Sequence, residues 1–188
     1  RPLSRGLGDV YKRQGFENMH ENLALVNQSF PDKPILFTEG TVEAFSTDKY
    51  QYWPNAERYG FSMIRDFNRG TVGWTDWNLL LDQTGGPNHV SNFCFAPIHG
   101  DTSTGELIYT PTYYYIGHFS KFVGPDSVRI STSVSRNVVL ATSFLNPDGT
   151  MATIVMNKSN DSINYSFFLN DRQVDLTIPP RAMQTLVY

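Results

Sequence analysis

Two short apolar runs, each preceded by a stretch with helical periodicity, constrain the fold of this chain most strongly. Residues 35–38 follow a helical pattern over residues 16–30, and residues 71–81 follow a second helical pattern over residues 56–68. Neither run alternates between polar and apolar residues, which is typical of parallel strands that are buried on both faces. The alternation of helix and strand predicts the last part of an α/β barrel or of a doubly wound sheet.

A carboxylate stands at the end of the first run, where Glu39 is followed at once by Gly40. In parallel α/β architectures the C-terminal ends of the strands face the ligand, so Glu39 is a candidate site residue. Taken by itself, a solvated glutamate at a strand exit is the more ordinary interpretation. Residues 40–55 lack periodicity and are predicted to form a long loop above this strand end.

The residue pattern of the sequence changes after residue 125. Six short runs rich in Val, Ile, Thr, Ser and Phe are separated by turn sequences such as Asn-Pro-Asp-Gly at 146–149. Such a series predicts an antiparallel β-sandwich, which we place after a boundary near Gly124 and after a helix over residues 113–122. The predicted strands are residues 128–134, 138–145, 151–156, 163–169, 174–178 and 183–187.

Charge and composition exclude several classes of function. The chain has 188 residues, a formal net charge of -3 and no block of basic residues, which argues against nucleic acid or an anionic membrane surface as the main partner. No apolar run is long enough to span a bilayer. Cys94 is the one cysteine and the four histidines lack ligand spacing, so we predict no metal site and no cofactor.

A second informative block lies within the second predicted strand and continues into the loop after it. Residues 73–79 (GWTDWNL) and 85–93 (GGPNHVSNF) combine two tryptophans with amide and carboxylate side chains. Aromatic faces and hydrogen-bonding groups together are what a pyranose ring requires. A core position is the more ordinary interpretation of Trp74, and Trp77, three positions on, is expected to point to the opposite side of the strand.

Together with Thr38-Glu39 and the run GHFSKFV at 117–123, these blocks resemble glycoside hydrolase family 30, the family of lysosomal glucosylceramidase. The resemblance extends from about residue 16 to the end of the chain. It implies an α/β plus all-β fold, in which the C-terminal part of a (β/α)8 TIM barrel over residues 15–124 precedes a β-sandwich over residues 125–188. Residues 1–14 carry a local charge of +3 and are predicted to be a non-native leader.

The same resemblance implies roles for individual residues. Glu39 matches the nucleophile at the end of the seventh barrel strand, and Trp77 and Asn92 match residues that contact the sugar in the first subsite. Asp76 lies beside Trp77 in the matched motif and is expected to be structural. His89 stands where the glucosylceramidases usually have an aromatic residue, which weakens the expectation of a glucosyl lipid as substrate.

Retaining hydrolysis needs a second carboxyl group about 5 Å from the nucleophile. In the family this acid/base glutamate follows an asparagine, whereas the other five glutamates here follow Phe, His, Val, Ala and Gly. We therefore predict that the chain is an inactive fragment of a retaining β-glycosidase. The remainder of the barrel is expected to pack on it, and a β-linked glucoside or glucan is the expected substrate of the parent protein.

Several alternatives stay open. Within the family, the parent could be an endo-β-1,6-glucanase or a β-xylosidase. From another class, the second domain could be a carbohydrate-binding module with an aromatic platform, or a purely structural sandwich, which we favour for residues 126–188. The platform candidates, most of which we expect in the core, are Phe144, Tyr165, Phe167 and Phe168. The parent is expected to be secreted, periplasmic or on the cell surface, without membrane insertion, and residues 1–14 have no signal-peptide pattern.

Overall fold

The computed structural model describes residues 19–41, 49–91 and 93–188. The chain divides into two compact units between Tyr114 and Tyr115. The first unit contains helices and parallel strands, and the second is dominated by antiparallel strands. The predicted leader over residues 1–14 lies outside the described residues, and the predicted domain boundary near Gly124 stays a prediction.

In the first unit, two helices alternate with two strands in the predicted order. These elements are α1 (Met19–Ser29), β1 (Ile35–Gly40), α2 (Trp53–Phe67) and β2 (Thr71–Asp76). β1 and β2 pair in parallel, with Phe37 opposite Trp74. A parallel pair joined through a helix is the βα unit that the sequence pattern predicts.

Helix α2 packs against β2 through a stripe of buried side chains that includes Ala56, Tyr59 and Met63. It begins at Trp53, three residues before the predicted start. Pro54 lies in its first turn, where a proline is tolerated because the missing N–H has no partner within the helix anyway. The predicted loop over residues 40–55 is correspondingly shorter, and residues 42–48 lie outside the described residues.

The two parallel strands are covered on one face. Ile35 and Phe37 are buried, but Leu36 is 50% exposed and Val72 is 66% exposed. The expectation that these strands are buried on both faces is therefore wrong for the described part of the chain. In those residues, β1 and β2 form a sheet of two strands, and α2 packs against one face of this sheet.

Residues 71–81 form two strands rather than the single predicted one. After β2, the chain enters β3 (Leu80–Asp82), which belongs to a different sheet with β4 (Ile98–Asp101) and β5 (Glu106–Tyr109). Residues 82–104, predicted as one loop, thus contain β4. In its sequence Ile-His-Gly-Asp only the isoleucine is of a type that favours strands. Gly105, with φ +77°, turns the chain from β4 into β5.

The second unit is a β-sandwich built from two antiparallel sheets. One has four strands in the order β11, β8, β7, β6, and the other pairs β10 with β9. Val139, Ala141 and Val155 of the first sheet pack against Ile163 and Ile178 of the second. The strands are β6 (Val128–Ile130), β7 (Val139–Leu145), β8 (Met151–Asn157), β9 (Ile163–Leu169), β10 (Arg172–Ile178) and β11 (Met183–Val187).

Five of these six strands end within two residues of the predicted limits, and β6 is shorter than predicted because it stops at Ile130. The Asn-Pro-Asp-Gly turn joins β7 to β8, with the amide of Gly149 donating to the carbonyl of Asn146 at 3.0 Å. Gly149 has φ +86°, which a glycine adopts without strain.

Helix α3 (Pro111–Ser120) begins two residues before the predicted start, again with a proline in its first turn. In the second unit, Tyr115 and Phe119 are buried, and the hydroxyl of Tyr115 donates to the carbonyl of Arg181 at 2.8 Å. His118 forms a hydrogen bond with Thr185 at 2.8 Å, which fixes the end of α3 to β11. Across the described ranges, no helix is both long and apolar enough to cross a membrane.

Candidate active site

The C-terminal ends of β1 and β2 are joined directly by a main-chain hydrogen bond. The amide of Trp77 donates to the carbonyl of Gly40 at 2.7 Å, one residue beyond the paired positions Gly40 and Asp76. Glu39 is half-buried at this junction, whereas the indole of Trp77 is 56% exposed. A carboxylate and an exposed aromatic ring therefore follow neighbouring strands at the same edge of the sheet.

The backbone at Gly40 lies directly against aromatic rings. A β-carbon at this position would stand 2.6 Å from Cη2 of Trp74 and 2.9 Å from Cε1 of Phe37. Those two rings are stacked, with centroids 4.4 Å apart and planes within 8°. A glycine is thus required for space, and the main chain next to Glu39 rests on a rigid aromatic pair.

Asp76 is held from α2. The hydroxyl of Tyr59 donates to Oδ1 of Asp76 at 2.7 Å, and the Tyr59 ring meets Trp74 edge to face at 5.3 Å. Burial raises the pKa of Asp76 to about 6, although the hydrogen bond from Tyr59 and the nearby amide of Trp77 act in the opposite direction. Burial and the charge of Asp76 raise the pKa of Tyr59 well above its usual value, so the phenol is the donor.

A buried carboxylate of α2 also binds the indole of Trp74. Asp66 of α2 accepts hydrogen bonds from Nδ1 of His20 at 2.9 Å and from Nε1 of Trp74 at 3.2 Å. The side chains of His20 and Asp66 are fully buried. One carboxylate therefore connects α1, α2 and the tryptophan on which the strand end rests.

His99 organises the other side of the region, in β4. Its Nε2 accepts from the amide of Ala96 at 3.2 Å, so Nδ1 carries the proton and donates to the carbonyl of Asp82 at 2.9 Å. Burial lowers the pKa of His99. The imidazole stacks on Phe93 and meets Phe95 edge to face, so His99 is a neutral core residue rather than a base.

The loop between β3 and β4 is held at both ends. At its start, Oδ1 of Asp82 accepts from the amides of Thr84 at 2.8 Å and Gly86 at 3.0 Å. At its end, the amide of Cys94 donates to the carbonyl of Gly85 at 3.2 Å. Gly85 has φ +76°, and a β-carbon there would stand 2.5 Å from the nitrogen of Cys94.

Lys49 ties this loop to the segment before α2. Its ammonium group donates to the carbonyl of Gln83 at 3.1 Å and lies 4.1 Å from the ring centroid of Phe93. Asn92 precedes Phe93 but lies outside the described residues, so its sugar contact stays a prediction. His89, in the same loop, is exposed.

The structure brings Glu39 and Trp77 to one strand edge, in line with the family resemblance, and their roles stay predictions. Asp76 was expected to be structural, whereas Tyr59, Asp66 and His20 were missed. The sequence contains a signal for Asp66, which lies on the buried stripe of α2 together with Tyr59 and Met63, at spacings of four and three residues. A carboxylate on an apolar stripe requires a buried partner. No three His, Cys, Asp or Glu side chains within the described ranges are arranged to hold a metal ion.

Comparison with known proteins identifies both domains. The model of the Glycosyl hydrolase family 30 TIM-barrel domain matches residues 6–123, and that of the Glycosyl hydrolase family 30 beta sandwich domain matches residues 126–186. The chain is 34% identical over 175 residues to the Caenorhabditis elegans protein named "Putative glucosylceramidase 4", covering 88% of this chain and 34% of that protein. It is 38% identical over 112 residues to mouse lysosomal acid glucosylceramidase, covering 59% and 22%.

Solved structures agree with these matches. SrfJ from Salmonella typhimurium superposes with a TM-score of 0.86 at 34% identity, covering 90% of this chain and 38% of its own. An endo-β1,6-glucanase superposes with a TM-score of 0.78 at 26% identity, covering 88% and 38%. The chain thus spans about a third of the length of such relatives. It belongs to glycoside hydrolase family 30 and contains part of the family's TIM barrel followed by its β-sandwich domain.

Proposed function

We propose that the complete protein carrying this chain is a retaining β-glycosidase with Glu39 as its nucleophile. Membership of a glycoside hydrolase family gives the reaction class. The observation that carries the assignment of Glu39 is the 2.7 Å hydrogen bond between the amide of Trp77 and the carbonyl of Gly40. This bond holds a carboxylate and an exposed indole at adjacent strand ends, where barrel enzymes place their catalytic groups.

In the proposed reaction, the carboxylate of Glu39 attacks the anomeric carbon of a β-linked sugar. A C–O bond to Glu39 forms while the glycosidic C–O bond breaks, and a second carboxyl group gives its proton to the leaving oxygen. That second group then takes a proton from water, which attacks the anomeric carbon and releases Glu39. Two inversions give net retention, and the chemistry needs neither a metal nor a cofactor.

Trp77 and Asn92 are proposed to bind the sugar in the first subsite. The exposed indole of Trp77 offers an apolar surface for the C–H face of a pyranose ring. An amide such as that of Asn92 can both donate to and accept from sugar hydroxyl groups. Neither residue takes part in bond making, so both are expected to affect substrate binding and orientation.

The 188-residue chain is proposed to be inactive by itself. None of its other glutamates matches the family's acid/base residue, so it supplies one of the two carboxyl groups that the mechanism needs. The exposed side chains of Leu36 and Val72 support the inference that further barrel strands and helices pack against this part of the chain in the complete protein.

A β-glucoside or β-glucan is the proposed substrate class, since the similar proteins include some named glucosylceramidase and one titled endo-β1,6-glucanase. An endo-β-1,6-glucanase or a β-xylosidase is the alternative within the family, because substrate choice depends on loops outside this chain. A place outside the cytoplasm, either secreted, periplasmic or on the cell surface, is proposed from the family resemblance.

The sandwich unit is better explained as structural than as a glycan-binding module. Of the four candidate platform residues, Phe144 is buried, Tyr165 and Phe167 are half-buried, and Phe168 is 65% exposed. Among these four candidates only Phe168 presents an exposed ring, which gives little stacking area, whereas sugar-binding sites combine aromatic faces with several polar groups.

Covalent trapping tests the assignment of Glu39. The complete protein is incubated with a 2-deoxy-2-fluoro β-glucoside carrying an activated leaving group, digested, and examined by mass spectrometry. The label is expected on the peptide containing Glu39, and no label is expected after Glu39→Gln. Glu106→Gln is the matched control, because Glu106 is an exposed glutamate of β5.

Three results would contradict the proposal. A label on a different carboxylate would remove Glu39 from the role of nucleophile. An initial product with inverted anomeric configuration, observed by proton NMR, would exclude the retaining mechanism. Turnover of an aryl β-glucoside by the 188-residue chain, lost after Glu39→Gln, would refute its proposed inactivity.

A further inference from the structure

We propose that Asp76 is a positioning residue for Trp77, and that its hydrogen bond from Tyr59 sets the side on which the indole is presented. The catalytic consequence rests on the proposed function of Trp77 as a sugar contact. The structural part, that Asp76 and Tyr59 determine where the indole lies, can be tested without any activity.

Asp76 is directed toward helix α2. Its carboxyl group reaches back to Tyr59 of α2, with 2.7 Å between the hydroxyl and Oδ1. Trp77 is the first residue after β2 and lies in a bend. While Asp76 is turned toward the helix, the indole of Trp77 is 56% exposed, so the two side chains are presented to different surroundings.

The backbone at Asp76 is attached to β1. Asp76 is the last residue of β2 and pairs with Gly40, while the next amide donates to the carbonyl of Gly40. The side chains of Trp74 and Phe37 fill the space beside the α-carbon of Gly40, so the backbone at Gly40 cannot shift in that direction. The side chain of Asp76 therefore attaches this segment to α2, while its backbone is already attached to β1.

A carboxylate at position 76 has an energetic cost. Oδ2 of Asp76 is buried and has no hydrogen-bond partner within the described residues. A buried polar atom without a partner destabilises the fold, and an apolar side chain of similar size would avoid this penalty. An apolar side chain would not, however, supply a directional bond to α2, which is the property that orients the following residue.

The structural test uses the 188-residue chain labelled with 5-fluorotryptophan. Its 19F NMR spectrum contains one resonance for each of the three tryptophans, and Trp77→Phe identifies that of Trp77. Asp76→Ala and Tyr59→Phe are expected to move the Trp77 resonance by more than its linewidth and to change its solvent isotope shift. Asp76→Asn retains an acceptor for Tyr59 and is expected to leave the resonance near its original position.

Matched controls exclude a general effect of mutation. Asp175→Ala removes an exposed carboxylate from β10, and Tyr114→Phe removes the hydroxyl of an exposed tyrosine. Neither is expected to move the Trp77 resonance. If Asp76→Ala leaves this resonance unchanged while the chain stays folded by circular dichroism, the positioning role is overturned. A variant that does not fold is replaced by Tyr59→Phe, which keeps every other atom of the pair.

The catalytic test is a double-mutant cycle in the complete protein with an aryl β-glucoside. Asp76→Ala and Trp77→Ala are each expected to raise KM roughly tenfold, the order of effect that misplacing a binding group produces, and the double variant is expected to resemble the single ones. Additive effects would mean that Asp76 acts independently of Trp77 and would contradict the proposal. If Trp77→Ala leaves KM unchanged, the proposed sugar contact fails, and the fluorine spectra still decide the structural part.

Discussion

The indole of Trp74 lies flat against the ring of Phe37 and closes the space beside the α-carbon of Gly40, with 2.6 Å between Cη2 of Trp74 and the position of a β-carbon. This relationship explains why a glycine follows Glu39. The strand end that carries the proposed nucleophile is fixed by packing from the helix side of the sheet, independently of any contact with substrate.

Gly40→Ala is expected to destabilise the first unit by roughly 1–3 kcal/mol, because the added methyl group overpacks a stacked aromatic pair. The measurement is thermal or urea unfolding followed by tryptophan fluorescence. Trp74→Phe should recover part of the loss in the double variant, since the smaller ring leaves room. Gly117→Ala is the control, because no atom lies within 4 Å of its added β-carbon, and an alanine at this helical position should stabilise by up to about 1 kcal/mol.

The carboxyl group of Asp76 makes stability depend on pH in an unusual direction. Its pKa is raised from 3.8 to about 6 on folding, so the folded chain holds this proton more tightly than the unfolded chain. The contribution to stability is present below pH 3.8 and is lost as the pH rises to about 6. Relative to Asp76→Asn, the original protein should lose on the order of 2 kcal/mol of unfolding free energy between pH 4 and pH 7.

Unfolding curves of both proteins at several pH values measure this difference, in which the other titrating groups cancel. A difference that stays constant with pH would show that Asp76 ionises normally in the folded chain. A difference of the opposite sign would show that the hydrogen bond from Tyr59 outweighs burial.

His99 is expected to stay neutral in the folded chain to a lower pH than an exposed histidine. Since burial lowers its pKa, its contribution to stability is present above pH 6.5 and is lost as the pH falls through the unfolded value toward the folded one. The 15N shifts of the imidazole should report the tautomer with the proton on Nδ1. An imidazolium pattern at pH 6.5 would contradict this assignment.

His99→Phe keeps an aromatic ring but leaves the amide of Ala96 and the carbonyl of Asp82 without this partner. The carbonyl of Asp82 still accepts from the amide of Gly85 at 3.0 Å. The amide of Ala96 loses its partner, and an amide that stays buried and unpaired costs about 1–3 kcal/mol, so the melting temperature should fall clearly. His89→Phe is the matched control, because His89 is exposed and its replacement should leave the melting temperature nearly unchanged. Equal stability of the two variants would show that the hydrogen bonds of His99 are not needed.

Asp66→Ala is expected to destabilise the chain by about 3–5 kcal/mol, because it removes the partner of a buried histidine and of the Trp74 indole at once. The double variant Asp66→Ala/His20→Leu should be less unstable than the sum of the single effects, since no buried imidazole is left without its carboxylate. Additive losses in unfolding experiments would show that the two residues are not energetically coupled.

The sandwich could be predicted nearly completely because its strands are local patterns. Runs of β-branched and aromatic residues end at turn sequences, and a turn such as 146–149 has chemistry that permits few alternatives. The parallel pair of β1 and β2 was likewise predictable, since each strand follows a stretch in which apolar residues recur at helical spacing. What these elements share is that neighbouring residues determine them.

The missed features depend on contacts between distant parts of the chain. β4 contains His, Gly and Asp and becomes a strand because β3 and β5 pair with it on both sides. The bond from Tyr59 to Asp76 joins residues 17 positions apart, and the bond from His20 to Asp66 joins residues 46 positions apart. Periodicity can place Asp66 on a buried stripe, but it does not name the partner.

The exposed side chains of Leu36 and Val72 have a practical consequence for work with the isolated polypeptide. Apolar side chains on an open strand pair provide an adhesive surface, and strands of this kind promote self-association. Purified at high concentration, the polypeptide should form oligomers through this surface, and Leu36→Thr with Val72→Thr should keep it monomeric in gel filtration. That soluble form would be the suitable starting material for the spectroscopic experiments.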